Sequence, residues 1–200
     1  MSSEVLTDEK SAAPPQPRKF TIVPIPGIVG AGAYVVALVV ALISNTNWAV
    51  DFFHVVSGAL WTGIDLFVGF VIGPIIGRMS IPSRMEFSTR FMPKMVVIMP
   101  ALVVGTLAAG FQLARQEGYI LSSWPDHGWV VASFIVVGVL AVVAIGVLEP
   151  ANLAVLFELR KPQPDGELVG RLMKRFIYTA GITGAMQVAT LVIMTRLATA

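Results

Sequence analysis

The 200-residue chain contains no cysteine and carries little charge. Without cysteine it cannot form disulfides, hold an iron–sulfur cluster through thiolates or use a cysteine nucleophile. Asp, Glu, Lys and Arg make up 13% of the residues, about half the share found in water-soluble domains. Hydrophobic residues make up 56%, and the mean hydropathy is +0.79. This composition excludes a disordered, collagenous or disulfide-stapled chain and predicts an integral membrane protein.

Five predominantly apolar stretches are long enough to cross a lipid bilayer, which takes about 20 residues of helix. We number them spans 1 to 5, and they cover about residues 25–44, 50–77, 93–114, 128–148 and 176–198. Residues 1–24 are polar and Pro-rich and lack the basic start and apolar core of a signal peptide. The sequence therefore predicts an all-α, polytopic bundle of five transmembrane helices at 25–200, preceded by a disordered cytoplasmic tail.

The distribution of Lys and Arg predicts how the bundle sits in the membrane. Twelve of them lie in the N-terminal tail and in the connections between spans 2 and 3 and between spans 4 and 5, and two lie elsewhere. Because positive loops stay in the cytoplasm, the N-terminus is predicted to be cytoplasmic and the C-terminus outside, in the plasma membrane of a bacterium or archaeon. Trp48, Trp124 and Trp129 then fall at the outer boundary, which indole rings favour. The basic residues are topology signals, and no nucleic-acid partner is expected.

Two prolines mark irregular points in the spans. Pro74 lies near the inner end of span 2 and predicts a kink there. Pro150 follows span 4, and we expect the apolar run after it, at 151–159, to form a short interfacial segment on the cytoplasmic side.

Span 2 contains two ionisable residues, which are functional candidates because charge in hydrocarbon is costly. At about 100° per residue, His54, Trp61 and Asp65 lie on one stripe of the helix, which we expect to face the bundle interior. Span 5 carries a polar stripe of its own, formed by Thr179, Thr183, Gln187 and Thr190. Packing the two stripes face to face predicts a hydrogen bond between Asp65 and Gln187.

The two histidines of the chain both lie near the predicted outer boundary, and each has a carboxylate close by in sequence. His54 follows Asp51, and His127 follows Asp126. If spans 2 and 4 touch, these side chains line one site for haem iron, copper or zinc. The alternative is that the histidines are hydrogen-bonded boundary residues and that the aspartates cap helices. For Asp65, the alternative to a functional role is a structural hydrogen bond to span 5.

Glycines recur in the two spans that carry most of these features. Gly69, Gly73 and Gly77 are spaced one turn apart in span 2, and Gly105 and Gly110 lie in span 3. They permit close helix packing, or they leave room for a flat macrocycle between helices.

A longer pattern runs through spans 2 and 3. It reads His-x6-Trp-x-Gly, matched by His54, Trp61 and Gly63, with Pro100 inside the next helix and glycines after it. In this pattern the chain resembles a superfamily of four-helix membrane proteins that includes the HemJ-type protoporphyrinogen oxidases and the CopD-type copper-resistance proteins. The resemblance implies a four-helix core of spans 2–5 with span 1 as an addition. It also implies that haem b, or alternatively copper, binds near the outer side, with His54 as a ligand.

Three functions agree with these features. In the first, a redox-associated protein binds haem b through His54, with Trp61 packed on the macrocycle and Asp65 below it, or binds a metal ion through His54 and His127. In the second, the chain is a non-catalytic accessory subunit of a larger membrane complex, or a homo-oligomer, in which span 1 docks to the partner. In the third, it transports copper or another small solute and Asp65 is the mid-membrane binding group.

Overall fold

A computed structural model describes residues 21–121 and 127–199. Within these ranges all regular structure is helical, and five helices are long and apolar enough to cross a membrane: α1 (Ile25–Ser44), α2 (Asn47–Arg78), α3 (Ile81–Gln116), α4 (His127–Leu159) and α5 (Gly166–Ala198). The prediction of an all-α bundle with five candidate spans is confirmed. Residues 1–20, Trp124 and Asp126 lie outside the described ranges.

Helices α2, α3 and α5 contact one another at the centre of the bundle, and α1 and α4 pack on them. Helix α2 contacts α3 and α5, and α1 lies against α3 and α2 at the edge of the bundle. Helix α4 packs on α5, and its second half also packs on α3. We call the end of the bundle where α2 begins the His54 end, and the end where α2 finishes the Arg78 end. The main core fills the middle and the Arg78 end with side chains such as Met92, Met173 and Leu156.

Helices α3, α4 and α5 extend beyond the apolar stretches of the sequence, α3 and α5 at their starts and α4 at its end. Helix α3 begins at Ile81, where the Ser80 side chain accepts a hydrogen bond from the Ser83 amide at 3.4 Å. Helix α5 begins at Gly166, and its cap is Asp165, which accepts bonds from two amides of the first turn. The charged segments between the apolar stretches are therefore helical, because their ends are capped and their apolar faces pack on the bundle.

Helix α4 continues through Pro150 to Leu159, so the run predicted as a short interfacial segment at 151–159 is the last part of this helix. Val155, Leu156 and Leu159 in that stretch are fully buried, and the segment Glu149–Leu159 packs against α3 and α5. The apolar run therefore belongs to the core of the bundle, and its position at the cytoplasmic interface stays a prediction.

Both irregular prolines follow a widened turn of helix. Pro74 is preceded by a π-helical turn at Val68–Ile72, and Pro150 by one at Ala144–Leu148. Proline has no N–H to donate, and its ring collides with the carbonyl group one turn earlier. A π turn moves that carbonyl away and lets the helix continue. The irregularity predicted at Pro74 is present, and its form is a π turn.

Helix α1 is attached at the edge of the bundle, against α3 and α2. Its residues Gly30 and Gly32 have open space where a side chain would project. The Tyr34 hydroxyl crosses α3 over Gly105 and shares a 2.6 Å hydrogen bond with Ser57 of α2. At the turn into α2, Asn45 adopts a left-handed conformation with φ 51° and accepts hydrogen bonds from two glutamines of α3.

A candidate ligand cavity at the His54 end

The polar stripe of α2 faces the interior of the bundle. Trp61 is 3% exposed and Asp65 is 2% exposed, and Ser57 on the flank of the stripe is also buried. His54, the first residue of the stripe, is half-buried. The predicted orientation of α2 is therefore confirmed.

Asp65 is held by two side chains of α5. Its Oδ2 accepts hydrogen bonds from Gln187 Nε2 at 2.9 Å and from Thr183 Oγ1 at 3.1 Å. The indole nitrogen of Trp61 lies near the same carboxyl group but falls outside hydrogen-bond geometry. The predicted contact between Asp65 and Gln187 is confirmed, and Thr183 belongs to the same network.

Glycines bring α2 and α5 into backbone contact below this network. A methyl group on Gly69 would overlap the backbone of Gly181, and one on Gly184 would come within 2.9 Å of the Leu66 amide nitrogen. Gly73 lies against the side chain of Ile177. Close packing is thus the role of Gly69 and Gly73, and no space for a macrocycle exists at these positions.

His54 binds the backbone of α3. Its Nδ1 lies 3.0 Å from the carbonyl oxygen of Thr106, and because a carbonyl only accepts, Nδ1 must carry the proton. The ring fits there because Gly110 has no side chain: a methyl group would approach His54 Nδ1 to 2.7 Å. In the neutral imidazole, Nε2 therefore keeps its lone pair free for a ligand.

A cavity of about 650 Å³ opens between α2, α3, α4 and α5 at the His54 end. Its walls are largely apolar and include Val55, Leu107, Phe134 and Leu140. It exists because the first part of α4 packs mainly on α5 and because the small buried clusters at this end do not fill the space between α4 and α2. The volume lies within the range of about 300–1,000 Å³ that is typical of small-molecule sites.

Polar groups line the cavity at three depths. At the mouth, Asn47 donates a 2.7 Å hydrogen bond to Glu117. His54 and Ser133 lie in the middle, and the Ser133 hydroxyl donates to the carbonyl of Val130. The deep end is formed by Trp61, Gln187 and Thr190. Trp61 Nε1, Gln187 Oε1 and Thr190 Oγ1 are buried without a hydrogen-bond partner in the described part of the chain.

The mouth of the cavity is acidic. Asp51 and Glu117 line it, and among the described lining residues there is no Lys or Arg. Burial raises the pKa of the Tyr119 hydroxyl at the mouth, and the carboxylates of Glu117 and Asp51 raise it further. The cavity therefore favours neutral or cationic ligands over anions.

His127 lies at the start of α4, outside the residues that line the cavity. Its Nδ1 is buried and has no hydrogen-bond partner among the residues that the structure describes. Across residues 21–121 and 127–199, no three His, Asp or Glu side chains are close enough to hold a metal ion together. The site that combines both histidines with Asp51 and Asp126 stays a prediction, since Asp126 is outside the described ranges.

The sequence did not indicate the cavity itself or the aromatic pair at its side. The rings of Phe111 on α3 and Phe134 on α4 meet edge to face, with their centroids 6.4 Å apart. Phe111 is five residues from Thr106 and one residue from Gly110, so helical periodicity alone does not distinguish it from a lipid-facing residue. In the sequence, the one indication of open space on this face of α3 was Gly110, which lies one turn after Thr106.

Comparison of the chain with models of protein families, with curated proteins and with solved structures gives no match.

Proposed function

We propose that this integral membrane protein is redox-associated and binds haem b in the cavity at the His54 end. The observation that supports the proposal is the hydrogen bond from His54 Nδ1 to the Thr106 carbonyl. Such a bond from the other ring nitrogen is the usual support of a ligating histidine, because it fixes the tautomer and the ring orientation. His54 Nε2 is then the ligand, and bound haem supplies one-electron chemistry.

The lining residues fit a flat apolar group. The cavity has a suitable volume, Trp61 borders its deep end, and Gly110 gives the His54 ring the space it occupies at the cavity wall. The absence of Lys and Arg among the described lining residues means that haem propionates must lie in water at the mouth. Asp51 and Glu117 there disfavour tight binding of these anions.

An absorption spectrum of the detergent-solubilised protein tests the proposal. We expect a Soret band that shifts on reduction, that is lost in His54→Ala and that is retained in His127→Ala. Gly110→Val should weaken the band, because a side chain there displaces the His54 ring. A colourless protein after expression with added haem precursor, or a band that persists in His54→Ala, would contradict haem ligation by His54.

Transport of copper or another small solute is the second candidate. It is favoured by the position of Asp65, which is buried beside the deep end of the cavity and bonded to the cavity residue Gln187. Copper uptake into proteoliposomes should then be lost in Asp65→Asn, with no haem spectrum in the wild type. Uptake that is the same in Asp65→Asn and wild type would exclude this role.

An accessory role in a larger complex, or homo-oligomerisation, is supported by α1. Most of its apolar side chains are exposed, for example Val36 and Ile43, and Gly30 and Gly32 leave a shallow groove. Small residues of this kind let a second helix approach closely. Gly32→Leu should then abolish copurification of a partner or lower the oligomeric state. If wild type and Gly32→Leu are both monomers of the same size, a role of α1 in assembly is contradicted.

We also propose the orientation given by the positive residues, with the N-terminus in the cytoplasm. The absence of cysteine makes the test direct, because a single introduced cysteine is the only thiol. A membrane-impermeant maleimide should label Thr46→Cys from outside intact cells and should label Gln163→Cys only after permeabilisation. The reverse pattern would overturn the orientation.

A further inference from the structure

The deep end of the cavity contains polar groups that lack partners. Gln187 and Trp61 are each 3% exposed, and Gln187 Oε1 and Trp61 Nε1 make no hydrogen bond within the described residues. Thr190 Oγ1 is a third such atom on the same wall. Unpaired polar atoms in an apolar interior cost free energy, and they cluster at a site where a ligand is able to satisfy them.

Two aromatic rings meet between α3 and α4 at the side of the cavity. Phe111 is 52% exposed and Phe134 is 42% exposed, and both also line the cavity. Their edge-to-face contact has a centroid distance of 6.4 Å. Both rings therefore border the cavity and keep a large accessible surface.

We propose that the deep end of the cavity binds the head group of a lipid-soluble quinone or quinol, which enters from the bilayer between Phe111 and Phe134. The inference rests on the proposed function only in taking this cavity as the binding site; the quinone or quinol occupies it in place of haem, because both would use His54 Nε2.

The chemistry of the lining residues favours this ligand class. A quinone has two carbonyl oxygens, which accept hydrogen bonds from donors such as Trp61 Nε1 and Thr190 Oγ1. A quinol has two hydroxyl groups, which also donate to acceptors such as Gln187 Oε1 and His54 Nε2. The head group is uncharged, as expected for a cavity whose described lining residues include no Lys or Arg.

The spacing along α2 suits a ring with oxygen at both ends. His54 and Trp61 are seven residues apart, or about 10.5 Å along the helix, which is close to the length of a benzoquinone ring with a hydrogen bond at each end. The unpaired atoms of Trp61, Gln187 and Thr190 are all covered, so binding also requires these three side chains to shift toward the cavity. The isoprenoid or alkyl tail then leaves the cavity between the two phenylalanine rings and stays in lipid.

Binding at the deep end is tested by titrating decylubiquinone into nanodiscs that contain the protein. Quenching of tryptophan fluorescence measures the bound fraction. We expect saturable binding that is roughly three- to tenfold weaker in Thr190→Val, because one hydrogen bond to the head group is lost. Thr179→Val is the matched control, since Thr179 lies on the same helix and does not line the cavity. Equal affinities in wild type and Thr190→Val, or no saturation, would overturn the site.

The route of entry is tested by the rates of the same binding reaction. Phe111→Ala should accelerate association and dissociation together, while the dissociation constant changes less than twofold, because the ring bounds the path and does not hold the head group. Phe70→Ala is the control, since Phe70 is exposed on α2 and does not line the cavity. Rates that respond equally to the two substitutions would contradict the lateral route.

The two proposals fail in different ways. A wild-type protein that has no Soret band and binds decylubiquinone saturably would sink the haem proposal and support the quinone site. Saturable binding by His54→Ala, after loss of the Soret band of the wild type, would support the quinone site and leave haem ligation by His54 standing. A haem spectrum together with no saturable quinone binding in either protein would sink the quinone site. Binding of the tail-matched decane with the same affinity would show that only the apolar walls are recognised and would also overturn the inference.

Discussion

Gln187 Nε2 on α5 donates a hydrogen bond to Asp65 Oδ2 on α2, and the two atoms are 2.9 Å apart near the middle of both helices. The two residues are far apart in sequence, so the bond exists only when the helices have assembled. It gives a buried carboxyl group a donor in a region where lipid offers none. It also forms the boundary between the tightly packed glycine contact of α2 with α5 and the cavity at the His54 end.

The coupling between these two residues is measurable. Asp65→Leu and Gln187→Leu should each lower stability, because each leaves a buried polar group without its partner. The double substitution should cost less than the sum of the two, with a coupling free energy of about 0.6–2 kcal/mol. Unfolding of the four proteins by sodium dodecyl sulfate in mixed micelles provides the cycle. Strictly additive effects would show that the bond contributes nothing to folding.

The contact between Gly69 and Gly181 predicts a sharp sensitivity to one methyl group. Gly69→Ala should destabilise the protein by about 1–3 kcal/mol, because the added carbon would overlap the α5 backbone. Gly63→Ala on the same helix is the matched control, since nothing lies within 4 Å of that position, and it should be neutral or slightly stabilising. Thermal unfolding in detergent measures both, and similar values for the two variants would contradict the close contact.

Helical periodicity was sufficient to predict the inward stripe of α2 and its contact with Gln187, because both depend on spacing within single helices. The helix starts at Ile81 and Gly166 were missed because hydropathy detects the apolar stretch and not the capped, charged turns outside it. The packing of residues 151–159 against α3 and α5 could not be predicted, because the helix continues through Pro150 by means of a π turn that hydropathy does not reveal. The cavity was missed because it depends on how far α4 stands from α2, which no local pattern records.

The cap at the start of α5 predicts an acid-sensitive contribution to stability. Hydrogen bonds from the backbone amides of Leu168 and Glu167 lower the pKa of Asp165 below its ordinary value of 3.8. The bonds to the carboxylate therefore stabilise the fold above that ordinary pKa, and the contribution is lost as the pH falls through the lower folded-state pKa. Melting temperatures between pH 7 and pH 3 should show a smaller acid-induced decrease in Asp165→Asn than in wild type. Equal decreases would mean that other carboxyl groups dominate.

Asn152 predicts a substitution that stabilises the protein. It is fully buried in the second half of α4, and neither its Oδ1 nor its Nδ2 has a hydrogen-bond partner in the described part of the chain. Replacing an unpaired amide by an apolar group of similar volume removes a desolvation cost of about 1–3 kcal/mol. Asn152→Leu should therefore raise the melting temperature in detergent.

Ser88 is the control for that prediction, because it is equally buried but its hydroxyl donates to the Arg84 carbonyl at 2.8 Å. Ser88→Ala should give no gain, since a satisfied hydroxyl carries no such cost and its removal leaves a small void. If Asn152→Leu lowers the melting temperature instead, the amide must have a partner such as a buried water or another chain. The direction in which Asn152→Leu changes the melting temperature, compared with Ser88→Ala, thus decides whether the core around Asn152 contains neither water nor a second chain.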